Sequence, residues 1–149
     1  MSDHPLVYII MGSKSDEEKM KKAEEVLKEF EISFQTFVSS AHREPDKTAD
    51  LIKGAEAKGV RVLIAGAGLA AALPGFAAAY TRLPVIGVPL ASGSLNGVDA
   101  LYAAVQMPAG NPVATVGIDN AKNAAHLAIR ILALTDPKLK QRMSERKKN

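Results

Sequence analysis

Short apolar runs alternate with segments of helical periodicity along the whole chain, and this alternation restricts the folds open to it. The apolar runs predict strands at residues 6–11, 33–38, 60–65, 84–88 and 113–116. The periodic segments predict helices over 17–30, 46–58, 97–105 and 120–134, with a short helix ending at Tyr80 and a C-cap at Gly59. Strands that are apolar throughout are typical of a parallel sheet covered on both faces.

The alternation therefore predicts an α/β fold with three layers, in which helices cover both faces of a doubly wound parallel sheet. We expect the strand order 2-1-3-4-5. A chain of 149 residues without Cys forms one domain and buries enough surface to fold without disulfides or metal. We place a single catalytic domain at 1–137 and a basic C-terminal tail at 138–149.

The positive charge of the chain is concentrated in that tail. The isoelectric point is 9.2, but residues 138–149 hold six Lys or Arg against one Glu, whereas residues 1–137 carry a net charge of −2. With 5% aromatic residues and no aromatic cluster among the basic ones, we expect no nucleic-acid partner. No apolar run approaches a membrane span, and residues 1–10 do not resemble a signal peptide, so we expect a cytoplasmic protein without a membrane partner.

Ligands of an open parallel sheet bind beyond the carboxyl ends of its strands, so the loops after the strands are the candidate sites. After the first strand come Gly12, Ser13, Ser15 and Asp16, which suit an anion site at a helix N-terminus. The same segment also fits ordinary helix capping, with Ser15 and Glu18 as a capping box. The spacing of a Walker loop is absent, and both interpretations stay open.

Two further loops carry features that suit a binding site. After the second strand, His42 can move a proton near neutral pH and Arg43 can hold a phosphate, although a pair of this kind also suits a solvated surface. After the third strand, residues 66–75 contain only small or apolar side chains, which indicates close approach either of a ligand or of a packed helix. Residues 106–112, with two prolines, suit a lid or a subunit contact.

A metal site is not expected. The chain has no Cys, its three His residues lack the spacing of metal ligands, and its carboxylates do not cluster. The Gly-x-Ser-x-Gly motif of serine hydrolases is also absent.

In their order and spacing, seven segments resemble the PurE family of purine biosynthesis, the 5-(carboxyamino)imidazole ribonucleotide mutases and related aminoimidazole ribonucleotide carboxylases. They are MGSKSD at 11–16, SAHREPD at 40–46, AGAG at 65–68, LPG at 73–75, PVIGVP at 84–89, LNGVD at 95–99 and VQMP at 105–108. The resemblance spans about 6–134 and implies a flavodoxin-like domain. It further implies a homo-octamer whose active sites combine several subunits and need no metal or organic cofactor.

The resemblance also implies residue roles. His42 falls on the catalytic acid/base, Asp16 on the contact to the ribose hydroxyls, and Arg43 on the contact to the phosphate of a ribonucleotide monophosphate. The other expected substrate-binding residues are Gly12, Ser13, Ser15, Ser40, Ala41, Gly66, Ala67, Gly68 and Leu73. The implied reaction moves a carboxylate from the exocyclic nitrogen to ring carbon 4 by loss and recapture of carbon dioxide.

One position departs from the family pattern. Mutases of this family usually read Ala-Ala-His-Leu-Pro-Gly where this chain has Ala72 in place of the His. Two alternatives follow from that departure: a carboxylase that uses free carbon dioxide, or a catalytically impaired ribonucleotide-binding protein.

Overall fold

The computed structural model describes residues 4–147 and shows a parallel sheet of five strands. The strands are β1 (Val7–Met11), β2 (Phe34–Val38), β3 (Val62–Gly68), β4 (Val85–Leu90) and β5 (Ala114–Thr115). Their order is β2-β1-β3-β4-β5, with every adjacent pair parallel. The α/β class, the parallel sheet and the strand order predicted from the sequence are confirmed.

Residues 4–147 also form six helices, and short 3₁₀ turns precede the first and follow the second. The helices are α1 (Glu17–Glu29), α2 (Pro45–Ala55), α3 (Ala72–Tyr80), α4 (Val98–Val105), α5 (Ala121–Ala133) and α6 (Pro137–Lys147). Gly59 ends the turn after α2 with φ +91°, which confirms its predicted capping position. No helix within the described part of the chain is long and apolar enough to cross a membrane.

Alternating side chains of β1, an inner strand of the sheet, face two separate cores. Val7, Ile9 and Met11 pack into the core that includes α1 and α5, whereas Tyr8 and Ile10 pack into the core that includes α2 and α3. Because successive strand residues point to opposite faces, a strand covered on both sides must be apolar at every position. The burial of all five β1 residues explains the continuous apolar run that the sequence showed.

The third strand is longer than its apolar run predicts. Gly66, Ala67 and Gly68, which were expected in a loop, continue β3 and pair with Val88, Pro89 and Leu90 of β4. Gly and Ala have low strand propensity, so the local pattern ends at Ala65 although pairing with the neighbouring strand continues. The β3–α3 loop therefore begins at Leu69 and not at Gly66 as predicted.

The basic C-terminal segment forms a helix that packs onto the domain. Leu139 of α6 is fully buried in the α1/α5 core. Arg142 donates to Glu31 at 2.6 Å, and Arg146 donates to the side chain of Glu29 at 2.7 Å. Part of the positive charge that raises the isoelectric point is therefore paired with carboxylates at the end of α1.

Candidate functional site

The loops after four strands enclose a cleft of about 370 Å³ at the carboxyl edge of the sheet. Eleven of the twelve residues expected from the sequence to contact a ligand line this cleft: Gly12, Ser13, Ser15, Asp16, Ser40, Ala41, His42, Arg43, Ala67, Gly68 and Leu73. The fold thus brings residues from position 12 to position 73, which are 61 positions apart in the chain, together around one cleft.

Gly66 is the predicted residue that does not line the cleft. A Cβ atom at this position would overlap the thioether of Met20 in α1. The absent side chain leaves room for the Met20 thioether between α1 and β3, which supports the helix-packing interpretation of this glycine; its contact with a ligand stays a prediction.

Ser13, not Ser15, caps the turn that leads into α1. The Ser13 hydroxyl accepts a hydrogen bond from the Ser15 backbone N–H at 3.3 Å and lies 2.9 Å from the Ser15 hydroxyl. Asp16 stands at the N-cap of α1 without a capping side-chain bond, so the capping box expected from Ser15 and Glu18 does not form. A Cβ at Gly12 would meet nothing within 4 Å, so this residue leaves open space beside the two hydroxyls.

The Asp16 carboxyl lines the cleft in a partly buried position. Burial raises its pKa, while a backbone hydrogen bond from Ser13 and the positive charge of Lys19 oppose that rise. A carboxylate in this setting accepts hydrogen bonds from ligand hydroxyl groups. Asp16 thus provides an acceptor next to the hydroxyl donors of Ser13 and Ser15.

Thr48 fixes the turn that presents His42 and Arg43 to the cleft. Its hydroxyl is buried, donates to the Ser40 carbonyl oxygen at 3.0 Å and lies 2.6 Å from the Ser39 hydroxyl. Because the single Thr48 proton goes to Ser40, the Ser39 hydroxyl donates to Thr48. The Ser40 hydroxyl in turn accepts from the Arg43 backbone N–H at 3.1 Å.

Thr48→Val is expected to loosen this turn. The substitution keeps the shape of the side chain but leaves the buried Ser39 hydroxyl without an acceptor, which costs about 1–3 kcal/mol. Urea denaturation of the purified variant measures the loss. Thr115→Val is the matched control, because the Thr115 hydroxyl makes only a 3.5 Å contact to the Val113 carbonyl and should lose little. Equal stability of wild type and Thr48→Val would contradict the assigned role.

Five residues that were not among the expected ligand contacts also line the cleft: Leu69, Ala70, Ala71, Ala72 and Ser92. Leu69 and Ala71 adopt positive φ angles of 49° and 41°, a backbone conformation that is uncommon for non-glycine residues. Ser92 follows β4 and reaches the cleft because Gly68 has no side chain, since a Cβ there would lie 3.1 Å from the Ser92 Cβ. In the sequence, only the run of small and apolar residues at 66–75 indicated that this part of the chain lines a cleft.

The cleft combines groups that suit a phosphorylated, hydroxylated ligand. It offers one guanidinium and one imidazole, one carboxylate and three serine hydroxyls on the β1 and β2 loops, opposite an apolar wall from β3 and α3. Within residues 4–147, no group of three or more His, Cys, Asp or Glu side chains is placed to hold a metal ion.

A model of the AIR carboxylase family matches residues 6–149. The chain belongs to this family. It is 54% identical over 142 residues to the N5-carboxyaminoimidazole ribonucleotide mutase of Pyrococcus horikoshii, a match that covers 95% of this chain and 80% of that protein. It is 53% identical over 137 residues to the phosphoribosylaminoimidazole carboxylase of Schizosaccharomyces pombe, covering 92% of this chain and 25% of that longer protein.

The AIR carboxylase family assignment agrees with the structural comparison. The crystal structure of Treponema denticola PurE superposes with a TM-score of 0.85 at 34% sequence identity, covering 97% of this chain and 92% of that one. Membership of the family to which the sequence motifs point is therefore confirmed. The match extends through α6, beyond the residues that carried the motif resemblance.

Proposed function

We propose that this AIR carboxylase family member is a 5-(carboxyamino)imidazole ribonucleotide mutase of purine biosynthesis. The observation that carries the proposal is the single cleft in which His42, Arg43 and Asp16 converge. The mutase from Pyrococcus horikoshii, which is 54% identical to this chain, supports it. The substrate would be a ribonucleotide monophosphate that carries its carboxylate on the exocyclic nitrogen.

In this proposal the two polar loops bind the ribose phosphate. The Arg43 guanidinium holds the phosphate through paired, charge-assisted hydrogen bonds. The Asp16 carboxylate accepts from the ribose hydroxyls, and the hydroxyls of Ser13, Ser15 and Ser40 contact the remaining polar atoms. Binding energy from this end of the ligand is remote from the reacting carbon and can hold the imidazole ring in place during the reaction.

The apolar side of the cleft would hold the released carbon dioxide. Ala67, Gly68 and Leu73 present little polarity there, so a small neutral molecule can stay beside the ring while water is excluded. An apolar wall beside the ring suits a mechanism in which carbon dioxide is lost and recaptured.

His42 would move the protons of the reaction. The bond between the exocyclic nitrogen and the carboxylate carbon breaks, carbon dioxide leaves, and the nitrogen takes a proton from the His42 imidazolium. Ring carbon 4 then attacks carbon dioxide and forms the new carbon–carbon bond. Neutral His42 removes the proton on carbon 4, which restores the aromatic ring and regenerates the imidazolium, so protons balance over one cycle.

A second candidate is a carboxylase that takes aminoimidazole ribonucleotide and free carbon dioxide. Ala72 favours it, because the imidazole usual in mutases is absent from the first residue of α3. The Schizosaccharomyces pombe relative is a phosphoribosylaminoimidazole carboxylase, which supports this candidate. A third candidate with the same basis is a ribonucleotide-binding protein of impaired activity.

Turnover of the two substrates by the purified protein distinguishes these functions. We expect conversion of the carboxyamino substrate that does not depend on added bicarbonate. Activity restricted to aminoimidazole ribonucleotide with bicarbonate would instead establish the carboxylase. Tight nucleotide binding in calorimetry without turnover of either substrate would establish the binding protein.

Ala72→His tests what this position contributes. The new imidazole would point from the first turn of α3 into the cleft and add one hydrogen bond to the substrate carboxylate. A hydrogen bond to a charged group contributes about 1.5–3 kcal/mol, so we expect kcat/KM to rise about tenfold or more. Ala72→Ser is the matched control, since it adds a polar group that is too short to reach as far. An unchanged rate would show that the cleft works without a second imidazole.

We further propose that the protein acts in the cytoplasm as a homo-oligomer, expected to be an octamer. Helix α4 supports assembly because Val98, Tyr102 and Val105 lie on one face and are 42%, 60% and 48% exposed. Multi-angle light scattering of the purified chain measures the assembly. The cytoplasmic location follows from the proposed substrate, whose phosphate charge prevents unassisted passage through a membrane.

A further inference from the structure

The loop at 91–97, between β4 and α4, closes on itself beside the cleft. A Cβ at Gly97 would lie 2.6 Å from Ile118 Cγ2 and 3.1 Å from the Ala91 Cα, so the two ends of the loop meet at Ala91. Gly93, Asn96 and Gly97 all adopt positive φ angles. Compact loops with adjoining ends are frequently functional, and the position of this one is set by its first residue.

Lys19 and Asp119 hold both polar backbone groups of Ala91. The Lys19 ammonium donates to the Ala91 carbonyl oxygen at 2.8 Å and to Asp119 Oδ1 at 3.0 Å. The same Asp119 oxygen accepts from the Ala91 backbone N–H at 2.8 Å. Two charged side chains from α1 and from the segment before α5 thus fix the orientation of the peptide groups on both sides of Ala91.

The residue that follows this fixed position contacts the cleft. Ser92 lines the cleft opposite the β1 and β2 loops, with its Cβ close to Gly68. Gly93 allows the Leu69 side chain to approach, because a Cβ there would lie 2.7 Å from Leu69 Cδ2. The loop at 91–97 and the β3–α3 loop therefore form one continuous wall.

We propose that Lys19 and Asp119 are positioning residues for the reaction proposed above: they fix Ala91 and thereby hold Ser92 against the substrate. The inference rests on that proposed function but assigns roles to residues outside the cleft lining. With the pair intact, the loop is ordered before the ligand arrives. Without the pair, part of the binding energy must order the loop. The apparent affinity is then the intrinsic affinity multiplied by the fraction of molecules in the competent conformation.

Exposure of the pair argues for a local role. The two side chains are 37% and 38% exposed, and ion pairs at that exposure contribute little to global stability. Their hydrogen bonds to Ala91 concern one loop. Loss of the pair should therefore change substrate binding more than it changes the melting temperature.

Steady-state kinetics of Lys19→Met and Asp119→Gly on the carboxyamino substrate provide the test. Glycine suits the Asp119 backbone, which has φ +60°, so this variant removes the carboxylate without adding strain. We expect both variants to raise KM about fivefold with kcat within about twofold, because ordering the loop opposes ground state and transition state alike. Asp119→Asn keeps an acceptor for the Ala91 N–H and should restore most of the affinity. Lys21→Met, which removes one exposed charge from the same helix, is the control and should leave KM unchanged.

A double-mutant cycle with Ser92→Ala tests whether the pair acts through Ser92. If it does, Ser92→Ala raises KM in the wild type but adds less than about twofold in the Lys19→Met background, since the hydroxyl is already displaced. If Ser92→Ala raises KM by the same factor in the wild type and in the Lys19→Met background, the proposal is overturned. A rise in KM for Lys19→Met but not for Asp119→Gly would also overturn it, because it would assign the effect to the charge of Lys19 near Asp16.

The test of the Lys19 and Asp119 roles can fail or succeed independently of the proposed mutase activity. If the wild type converts neither substrate, the same variants are compared by calorimetric binding of aminoimidazole ribonucleotide. The positioning role then predicts the same loss of affinity, whereas affinities equal to that of the wild type would exclude it.

Discussion

His42→Asn is expected to lower kcat for the carboxyamino substrate by about 10²- to 10⁴-fold, the contribution typical of a positioned acid/base. Asn cannot carry a proton between the exocyclic nitrogen and carbon 4, although it fills a similar volume. The turn that presents residue 42 is fixed by Thr48 and Ser40 rather than by the imidazole, so the cleft should keep its shape. Rapid-quench assays with substrate above KM measure the change.

Substrate affinity separates the chemical role of His42 from a binding role. If His42 acts on protons, the ribonucleotide should bind His42→Asn within about threefold of the wild type, because the lost interaction is made mainly in the transition state. His126→Asn is the control, since His126 lies on α5 against Phe30 and not in the cleft. Unchanged kcat in His42→Asn would remove His42 from the mechanism and leave the cleft as a binding site.

The positions of the strands could be predicted from the sequence because each central strand is buried on both faces. A strand buried on both faces needs an apolar residue at every position, as in β1, so it is visible as a continuous apolar run. The connections between parallel strands then allow few topologies. The prediction failed where residue type carries little information. Gly66–Ala67–Gly68 pair with β4 although their propensities are those of a loop.

Glycines that look equivalent in the sequence have different roles in the fold. Gly66 makes room for Met20 inside the core, while Gly68, two residues later, makes room for Ser92 at the cleft. Both lie on β3 and both allow close approach, so the distinction depends on which elements pack against that strand. No local pattern contains this information.

The wall of the cleft made by the loop at 91–97 was also beyond prediction. The hydrogen bonds that fix Ala91 join Lys19 to positions 72 and 100 residues away along the chain. A lysine on an exposed helix and an aspartate before another helix are common surface residues, and only the tertiary structure brings them together. The His42–Arg43 turn was predictable because its chemistry lies in adjacent residues after a strand.

The second large effect is expected on ribonucleotide affinity, through the phosphate of the proposed substrate. Arg43→Met is expected to weaken ribonucleotide binding by about 10²- to 10⁴-fold, since it removes two charge-assisted hydrogen bonds of about 1.5–3 kcal/mol each. Among the described residues the Arg43 guanidinium has no carboxylate partner, and the neighbouring Glu44 pairs with Lys47 at 3.2 Å. Arg43 is therefore free to pair with an anionic ligand.

Two variants separate guanidinium geometry from charge. Arg43→Lys keeps the charge but loses the planar pair of donors, so its affinity should fall between those of the wild type and Arg43→Met. Arg130→Met, on the exposed face of α5, removes the same charge at a distance and should bind normally. Calorimetry with the ribonucleotide and with the dephosphorylated nucleoside completes the comparison. If Arg43 contacts the phosphate, the nucleoside binds wild type and Arg43→Met equally weakly; a difference for the nucleoside would place Arg43 against another part of the ligand.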